Sequence, residues 1–254
     1  MDFAGLPRTR PARALARAAV FCTAALCAAV ICTAALVLTL GGGIRAAEDA
    51  VRLDAFDRTY PPGEVYGSWD LQKISPLFGS GADTFFQFVD GPGPDGHTIH
   101  LRSGRNNSFS LGAKEKFKLQ AWPILEWEWK VTRTPKNGDV RVKERDDQAG
   151  SMCVIVNPGL TGFDSLCYLW ENDGPKGQTL VSTKRDASRY LILRTARVDG
   201  TGSWHKERRN MLEDYTQVFG KPPSEEAVIG MQIDSDSTES SGEVFYRNIF
   251  RRKR

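Results

Sequence analysis

The chain has 254 residues, with 34 Lys and Arg against 31 Asp and Glu and a formal net charge of +3. The excess positive charge lies in the first 47 residues, which hold five arginines and one aspartate. The remainder has 29 basic and 30 acidic residues, a net charge of −1. Because phosphate binding needs a concentrated positive surface, this balance argues against nucleic acid as a partner.

Residues 1–47 are predicted to be a signal peptide or an N-terminal membrane anchor. Four arginines precede an uncharged run of 23 residues, 18–40. This run exceeds the roughly 7 to 15 apolar residues of a signal-peptide core and reaches the roughly 20 that span a bilayer. A cleaved leader and a retained anchor both fit. We therefore expect a periplasmic or extracellular protein, either released or anchored in the inner membrane by residues 18–40, with no other membrane contact.

Residues 48–254 are expected to form a single β-sandwich domain with one short helix. Nine runs of strand length, rich in aromatic residues and separated by turn residues, are typical of an antiparallel sandwich. The predicted strands are 84–90, 97–103, 114–119, 125–131, 151–157, 166–170, 189–198, 227–234 and 243–251. The helix is predicted over residues 209–219, where apolar residues recur at helical spacing before Gly220.

The stretch LEWEWKV, residues 125–131, alternates apolar and charged residues strictly. In a strand, residues i and i+2 share a face. The two faces would carry Leu125, Trp127, Trp129 and Val131 on one side and Glu126, Glu128 and Lys130 on the other. We expect the apolar face to lie in the core, where burial of two indoles contributes several kcal/mol at roughly 25 cal/mol per Å².

Glu126 and Glu128 are the candidates for catalysis. Two carboxylates about 7 Å apart on one strand face come within the separation that two-carboxylate glycosidases use. Such enzymes keep one carboxyl group protonated, whereas Lys130 on the same face favours two ionised, solvated groups. The pair is therefore interpreted as a solvated face, with polysaccharide cleavage as the alternative.

Two acidic segments are candidates for binding a cation. Asp234 and Asp236, in the turn IDSDSTESSGE, alternate with hydroxyl residues and supply oxygen ligands of the kind that calcium prefers. Asp146 and Asp147 precede the predicted strand 151–157. If the two segments meet at one end of the sandwich, four carboxylates converge and a structural calcium ion would relieve their repulsion. The alternative is that these residues form ordinary turns and bond their own backbone.

Cys153 and Cys167 lie in two apolar runs that are predicted to be neighbouring strands. Disulfides persist in the compartments to which exported proteins are sent. A disulfide between the two residues and a pair of separate, buried thiols are both open at this point.

Several aromatic residues are candidates for stacking on a sugar ring. Trp69, Trp122, Trp170 and Trp204 lie near predicted strand ends or in loops, and Tyr168 shares a strand face with Trp170. An exposed indole could stack on the apolar face of a sugar. The alternative is that these rings close the ends of the sandwich core.

Arg209 and Asp214 are the remaining candidate pair. A charge-assisted bond from Arg208 or Arg209 to Asp214 would anchor the predicted helix to the sandwich, and a contact with a ligand is the alternative. The sequence contains no zinc-ligand spacing, nucleophile elbow or phosphate-binding loop. Nucleotide binding and nucleophilic catalysis therefore have no support from motifs.

The C-terminal half contains CYLWENDGPKG, the pattern W-x-x-x-x-RN-x-x-x-DY-x-x-x-FG-x-x-P, IDSDST and VFYRNI, preceded by WEWKV and DDQAG. Over residues 125–250 this resembles a bacterial family of exported proteins of unknown function, DUF 3047. The resemblance implies a jelly-roll or concanavalin-like sandwich akin to carbohydrate-binding modules, with no assigned activity. Ser237 replaces an asparagine usual in the acidic turn, and Arg247 and Asn248 stand where the last strand usually carries an aspartate. The paired loop aspartates thus remain the metal candidates.

We therefore expect a noncatalytic module that binds a glycan or another cell-envelope polymer, with structural calcium as its only candidate cofactor. The candidate ligand-binding residues are Tyr168, Trp170, Trp204, Arg209 and Asp214. One alternative is an envelope enzyme that acts on polysaccharide through the two strand glutamates. Another is a structural or protein-interaction domain at the membrane.

Overall fold

The computed structural model describes residues 49–73, 85–90, 97–104, 107–156, 162–223 and 226–254. Residues Asp49–Arg254 form one unit. The predicted leader or anchor lies outside the described residues, as do the predicted strand ends at positions 84 and 157. Among the helices that the structure describes, none has the length and apolarity to cross a bilayer.

The described residues form thirteen strands and three short helices. The strands are β1 (Ala50–Arg52), β2 (Trp69–Lys73), β3 (Phe85–Val89), β4 (Thr98–Ser103), β5 (Ser108–Ala113), β6 (Ile124–Arg133), β7 (Gln148–Val156), β8 (Asp164–Glu171), β9 (Thr179–Val181), β10 (Ser188–Thr195), β11 (His205–Asn210), β12 (Ala227–Asp234) and β13 (Gly242–Arg252). The helices are a 3₁₀ turn (Lys143–Arg145), α1 (Ala196–Asp199) and α2 (Met211–Phe219).

Two sheets make up the sandwich. Sheet A has the order β11-β6-β13-β4-β3, with β1 also paired to β13. Sheet B has the order β2-β5-β12-β7-β8-β10-β9. The described pairs are antiparallel except for β8 and β10, which run parallel. The predicted all-β, jelly-roll-like sandwich is therefore confirmed.

The core is built by facing aromatic residues of β6 and β8. Trp127 and Trp129 are fully buried, as are Tyr168 and Trp170 on the opposite sheet. The ring centroids of Trp127 and Tyr168 lie 5.4 Å apart, and those of Trp129 and Trp170 also lie 5.4 Å apart. Aromatic pairs at this distance are stabilised beyond their area burial by about 0.5–1.5 kcal/mol each. The prediction that the indoles of LEWEWKV point into the core is confirmed.

The two sheets approach each other closely where β7 faces β13. A Cβ atom on Gly150 would lie 2.8 Å from the hydroxyl oxygen of Tyr246 and 2.9 Å from a methyl carbon of Val244. The same tyrosine hydroxyl donates to the carbonyl oxygen of Ser151 at 3.0 Å. Only a residue without a side chain fits at position 150, because the interior is already close-packed.

The structure corrects the predicted strand at 114–119. Phe117 makes only an isolated bridge to Ala227, because the chain turns immediately afterwards, with the amide N–H of Trp122 bonding the carbonyl oxygen of Lys118. The short strands β1, β2, β5, β9 and β11 were not among the predicted elements.

Two predicted element ends also need correction. The predicted strand 189–198 stops at Thr195, whose hydroxyl accepts a bond from the N–H of Val198 and so begins α1. The predicted helix 209–219 begins at Met211, because Asn210 caps it by accepting from the N–H of Glu213. Residues 209 and 210 belong instead to β11.

Candidate functional site

The candidate site is a groove on the outer face of sheet B. Because Tyr168 and Trp170 point into the core, the alternate residues of β8 point outward. Cys167 is one of these, and it lies directly opposite Cys153 on β7. The two form a disulfide with Cα atoms 4.1 Å apart, so the disulfide alternative is confirmed. The bond pins β7 to β8 in the floor of the groove.

The groove has a volume of about 390 Å³ and a lining rich in hydroxyl groups. Its polar residues are Ser108, Ser110, Ser165, Ser182, Lys184, Arg185, Ser188, Tyr190, Gln232, Asp234 and Asp236. Strands β5 and β12 place Ser110 directly opposite Gln232. Further along, β10 and the segment before it form a wall, in which the Tyr190 hydroxyl donates to the hydroxyl of Ser182 at 3.0 Å.

One hydroxyl of the lining is a spare hydrogen-bonding group. The side-chain oxygen of Ser108 is buried and has no hydrogen-bond partner among the described residues. By contrast, Ser165 donates to Ser188 at 2.7 Å, so those two hydroxyls already satisfy each other in part. Burying a polar group without a partner costs about 1–3 kcal/mol. The oxygen has almost no exposed surface, so a ligand could bond it and recover that free energy only after the Ser108 side chain turns toward the groove.

The two acidic segments identified in the sequence meet at one end of the groove. The carboxylate of Asp147 accepts from the N–H groups of Ser237 at 3.0 Å and Thr238 at 2.7 Å, which joins the two loops. Carboxylate oxygens of Asp147, Asp234 and Asp236 lie within 4.8 Å of one another. The geometric condition for a shared cation site is therefore met, although the bond from the N–H of Asp236 to the Asp234 carboxylate at 3.3 Å also fits the alternative, in which these residues bond their own turn.

A lysine lies within this acidic cluster. The ammonium of Lys184, in the segment between β9 and β10, bonds the hydroxyl of Ser237 at 2.9 Å and a carboxylate oxygen of Asp236 at 3.3 Å. Burial disfavours its charge, but the carboxylates of Asp234 and Asp236 outweigh burial and raise the pKa of Lys184. The lysine therefore stays protonated at neutral pH. It was missed in the sequence, where nothing connects residue 184 with the two acidic segments.

Two carboxyl groups at this end of the groove have raised pKa values. Burial raises the pKa of Asp146 to about 6, against the lowering influence of Lys184. Burial likewise raises the pKa of Asp234 well above its ordinary value. Both residues are almost fully buried, with 1% and 6% exposure respectively. Groups perturbed in this way, lining or adjoining a groove, are a common feature of functional sites.

Glu126 and Glu128 lie away from the groove, on the outer face of sheet A. Glu126 accepts from Arg208 at 2.9 Å and from Arg252 at 2.8 Å. Burial opposes its ionisation, yet these arginine bonds lower the pKa of Glu126 overall. Glu128 accepts from Arg247 at 2.8 Å and from an asparagine amide at 3.1 Å. The lowered pKa of Glu126 is the opposite of what a glycosidase general acid requires.

The aromatic candidates for sugar stacking are mostly inside the protein, which agrees with the alternative that these rings close the core and corrects the expectation that Tyr168 and Trp170 bind a ligand. Tyr168, Trp170 and Trp69 are at most 1% exposed, because their rings fill the space between the sheets. Trp204 is half-buried, with Lys130 4.8 Å and Arg247 4.1 Å from its ring centroid. Its ring is already engaged by cations of the chain itself.

Trp122 is also engaged within the chain. It is half-buried and lies 4.9 Å from the guanidinium of Arg251 and 5.3 Å from the ammonium of Lys253. The stacking candidates of the sequence therefore lie at the core or beneath cationic side chains. The aromatic residue that lines the groove is Tyr190, together with Phe163 at its edge. Strand alternation could have indicated Tyr190, since it shares a face with Ser188.

Arg209 and Asp214 form the predicted ion pair, which holds α2 on the sandwich. The guanidinium of Arg209 donates two bonds to the Asp214 carboxylate, at 2.9 and 2.5 Å. The hydroxyl of Tyr168 donates to the same carboxylate at 2.8 Å. Asp214 is thus satisfied from both sides within the chain, and neither residue lines the groove. The geometry agrees with the structural alternative for this pair.

Comparison with known proteins identifies a family. Residues 77–250 match the model of a family described as a protein of unknown function, DUF3047. A search of curated protein sequences finds no significant match.

The solved structures that match include a family 11 carbohydrate-binding module from Clostridium thermocellum in complex with a β-1,3-1,4-mixed-linked tetrasaccharide. It is 12% identical, with a TM-score of 0.38, and the match covers 76% of this chain and 94% of that chain. Endoglucanase 3 from family GH12 of Trichoderma harzianum is 14% identical, with a TM-score of 0.36 and coverage of 74% and 98%. Likeness at this level carries no information on ligand or activity.

Proposed function

This chain belongs to the DUF3047 family of proteins of unknown function, and on that premise we propose that it is a noncatalytic binding module for a glycan or another hydroxyl-rich polymer of the cell envelope. The proposed binding surface is the groove on the outer face of sheet B. The observation that carries the proposal is the lining of that groove, in which five serines, one tyrosine and one glutamine surround about 390 Å³. Sugar hydroxyls both donate and accept hydrogen bonds, and such a lining offers both kinds of partner.

Seven of the eleven polar residues of the lining lie on strands. Ser110 faces Gln232 and Ser108 faces Asp234 across the β5–β12 pair. Cross-strand neighbours lie about 4.5–5.5 Å apart, and successive outward residues of one strand lie about 7 Å apart. A rigid grid of this kind limits the entropy lost on binding, because the groups are already in place.

The charges of the groove favour a neutral glycan. Asp234 and Asp236 line one end, and Asp146 lies next to them, while the ammonium of Lys184 is already bonded to these acidic groups. An anionic sugar would meet these carboxylates at this end, while the other cation of the lining, Arg185, bonds the carbonyl oxygen of Phe163 at the edge of the groove. A neutral chain has no such penalty.

The disulfide supports the proposal that the protein works outside the cytoplasm. Cys153 and Cys167 are bonded and lie at the groove, so an oxidising compartment would preserve the floor of the binding surface. We propose the periplasm or the cell exterior as its location, with residues 18–40 as a leader or an inner-membrane anchor. Reducing conditions would release the bond that joins β7 and β8.

The test is a glycan-array screen of the purified protein, followed by titration of any bound glycan. Replacing Gln232 in the groove by alanine is expected to weaken binding roughly 3- to 10-fold, since one hydrogen bond contributes about 0.5–1.5 kcal/mol. Gln87→Ala makes the same change on the outer face of sheet A and is expected to leave affinity unchanged. Absence of glycan binding, or equal loss in both variants, would contradict the proposal.

The noncatalytic part of the proposal has its own test. Any bound polysaccharide is incubated with the wild-type protein and with Glu128→Gln, and the reducing ends are counted. We expect no cleavage by either protein, and unchanged folding and binding in the variant. Cleavage that disappears in Glu128→Gln would instead establish the enzyme alternative.

A further inference from the structure

The acidic end of the groove already contains a cation that belongs to the chain. We infer that Lys184 supplies the positive charge of the cluster formed by Asp146, Asp147, Asp234 and Asp236, in the position where a calcium ion was expected. The native cluster is then independent of metal, and removal of the lysine turns it into a site for a divalent cation.

The contacts of the Lys184 ammonium account for all of its hydrogen-bond donors. A lysine ammonium has three N–H donors. The Lys184 nitrogen lies 2.9 Å from the hydroxyl oxygen of Ser237, 3.2 Å from the carbonyl oxygen of Asp146 and 3.3 Å from a carboxylate oxygen of Asp236. A carboxylate oxygen of Asp234 follows at 3.8 Å. Three partners therefore match three donors, and the fourth oxygen adds electrostatic attraction.

The oxygen atoms around Lys184 are the kinds that bind calcium. Carboxylate, backbone carbonyl and hydroxyl oxygens are hard ligands, and calcium takes them at about 2.3–2.6 Å. Carboxylate oxygens on opposite sides of such an ion are thus about 5 Å apart. Those of Asp147, Asp234 and Asp236 lie within 4.8 Å of one another, so all three can reach one ion.

A separate observation points to spare coordinating capacity. Asp146 is 1% exposed, and one of its carboxylate oxygens, Oδ1, is buried without a hydrogen-bond partner among the described residues. Its other oxygen accepts from the hydroxyl of Thr183, the residue next to Lys184. The same carboxylate interacts electrostatically with Lys184, Asp147 and Asp236. This buried acceptor without a donor belongs to a carboxylate that interacts with Asp147 and Asp236, and it adds unsatisfied negative charge next to the three carboxylates that can share an ion.

The presence of Lys184 in place of a metal ion has a consequence for the groove, because of where the lysine lies. Lys184 lies in the segment between β9 and β10, which also contributes Ser182 and Arg185 to the groove wall. Its ammonium connects that wall to the end of β12 and to the loop that follows it. A metal ion would make this connection only when bound. A lysine makes it permanently, so glycan binding at this groove would be calcium-independent, a consequence that rests on the proposed function.

The test compares calcium binding by the wild-type protein and by Lys184→Met, measured on the full chain at pH 8 by isothermal titration and by melting temperature with calcium or a chelator. Methionine keeps most of the stem volume and removes the charge. The melting temperature of the wild type is expected to be unchanged by calcium and by the chelator. Lys184→Met is expected to melt lower without metal, to bind calcium at least ~10-fold more tightly than the wild type, and to regain melting temperature as calcium is added.

Two further variants complete the experiment. Lys176→Met removes a lysine that pairs with a single carboxylate, Asp199 at 2.7 Å, and is expected to stay calcium-insensitive. Lys184→Arg keeps the positive charge, and calcium is expected to leave its melting temperature unchanged.

Three outcomes would overturn the inference. They are stabilisation of the wild type by calcium, destabilisation of the wild type by a chelator, and a Lys184→Met protein with no gain in calcium affinity. Should Lys184→Met fail to fold, refolding in calcium decides: recovery supports the inference and continued failure overturns it. None of these readouts uses a glycan, so they are independent of the proposed function.

Discussion

Glu171→Gln is expected to stabilise the protein at alkaline pH and to leave its stability unchanged in acid. Glu171 ends β8 and is 1% exposed. One carboxylate oxygen accepts from the N–H of Asn172 at 3.1 Å, whereas the other, Oε1, is buried without a partner among the described residues. Burial raises the pKa of Glu171 to about 7, although the backbone N–H groups of Val140 and Asn172 act in the opposite direction.

The magnitude follows from proton linkage. The ordinary pKa of the glutamate carboxyl is 4.5, and in the folded chain the pKa is about 7. Between these values the native state binds more protons than the unfolded state, so stability falls as pH rises. At about 1.4 kcal/mol per pH unit the loss reaches about 3 kcal/mol above pH 7 and is close to zero below pH 4. Glutamine is nearly isosteric and carries no charge, so it removes this loss.

The assay is urea unfolding of wild type and variant at pH 4, 6 and 8. The free energy of unfolding should differ little at pH 4, and the variant should be more stable by about 3 kcal/mol at pH 8. Other buried carboxyls, such as those of Asp146 and Asp234, are common to both proteins and cancel in the difference. Exposed Glu226→Gln is the control, with no pH-dependent difference expected. A Glu171→Gln effect of equal size at pH 4 and pH 8 would refute the reasoning.

Three further changes test the packing. Replacing Cys153 and Cys167 together by serine should cost about 3 kcal/mol, the expected effect of opening a loop of their sequence separation, 14. A reductant should then destabilise the wild type but not the double variant. Gly150→Ala should cost about 1–3 kcal/mol in urea unfolding through overpacking, whereas Gly230→Ala, whose new carbon meets nothing closer than 3.4 Å, should cost less. Asp214→Asn should lower the melting temperature, because it leaves the arginine at the end of β11 without its ionic partner; an unchanged melting temperature would contradict the proposed role in anchoring α2.

The buried face of β6 could be predicted because strand alternation is a local property. Side chains at i and i+2 share a face whatever the rest of the chain does, so the sequence LEWEWKV alone places Trp127 and Trp129 together. The partners of these rings were not predictable in the same way. Tyr168 and Trp170 share a face for local reasons, but that this face meets β6 depends on how two sheets stack. Both residues were consequently open to an interpretation as exposed stacking residues.

The groove could not be predicted because it depends on pairing between distant strands. The wall with Lys184 and Tyr190 exists because β10 runs parallel to β8, which requires a connection long enough to return to the same end of the sheet. Strand β9, which completes this edge, is three residues long and offers no measurable alternation. The predicted meeting of the two acidic segments was stated as a condition, and the structure fulfils it through Asp147. No local sequence pattern indicated that the cation between these segments is the ammonium of Lys184.

A comparison of Glu126 on sheet A with the aspartate cluster around Asp234 shows why the outer face of sheet B is the better candidate for function. On sheet A, Glu126 is bonded by arginines from β11 and β13, so its charge is neutralised within the sheet. At the edge of sheet B, one ammonium pairs with both Asp234 and Asp236, and a buried oxygen of Asp146, which adjoins the groove without lining it, has no partner among the described residues. A polar group that is already bonded within the chain contributes little binding free energy. A buried group without a partner contributes more, because a bond to a ligand removes the free-energy penalty of its burial. Binding free energy is therefore available on the face that carries the groove, next to hydroxyls such as that of Ser108.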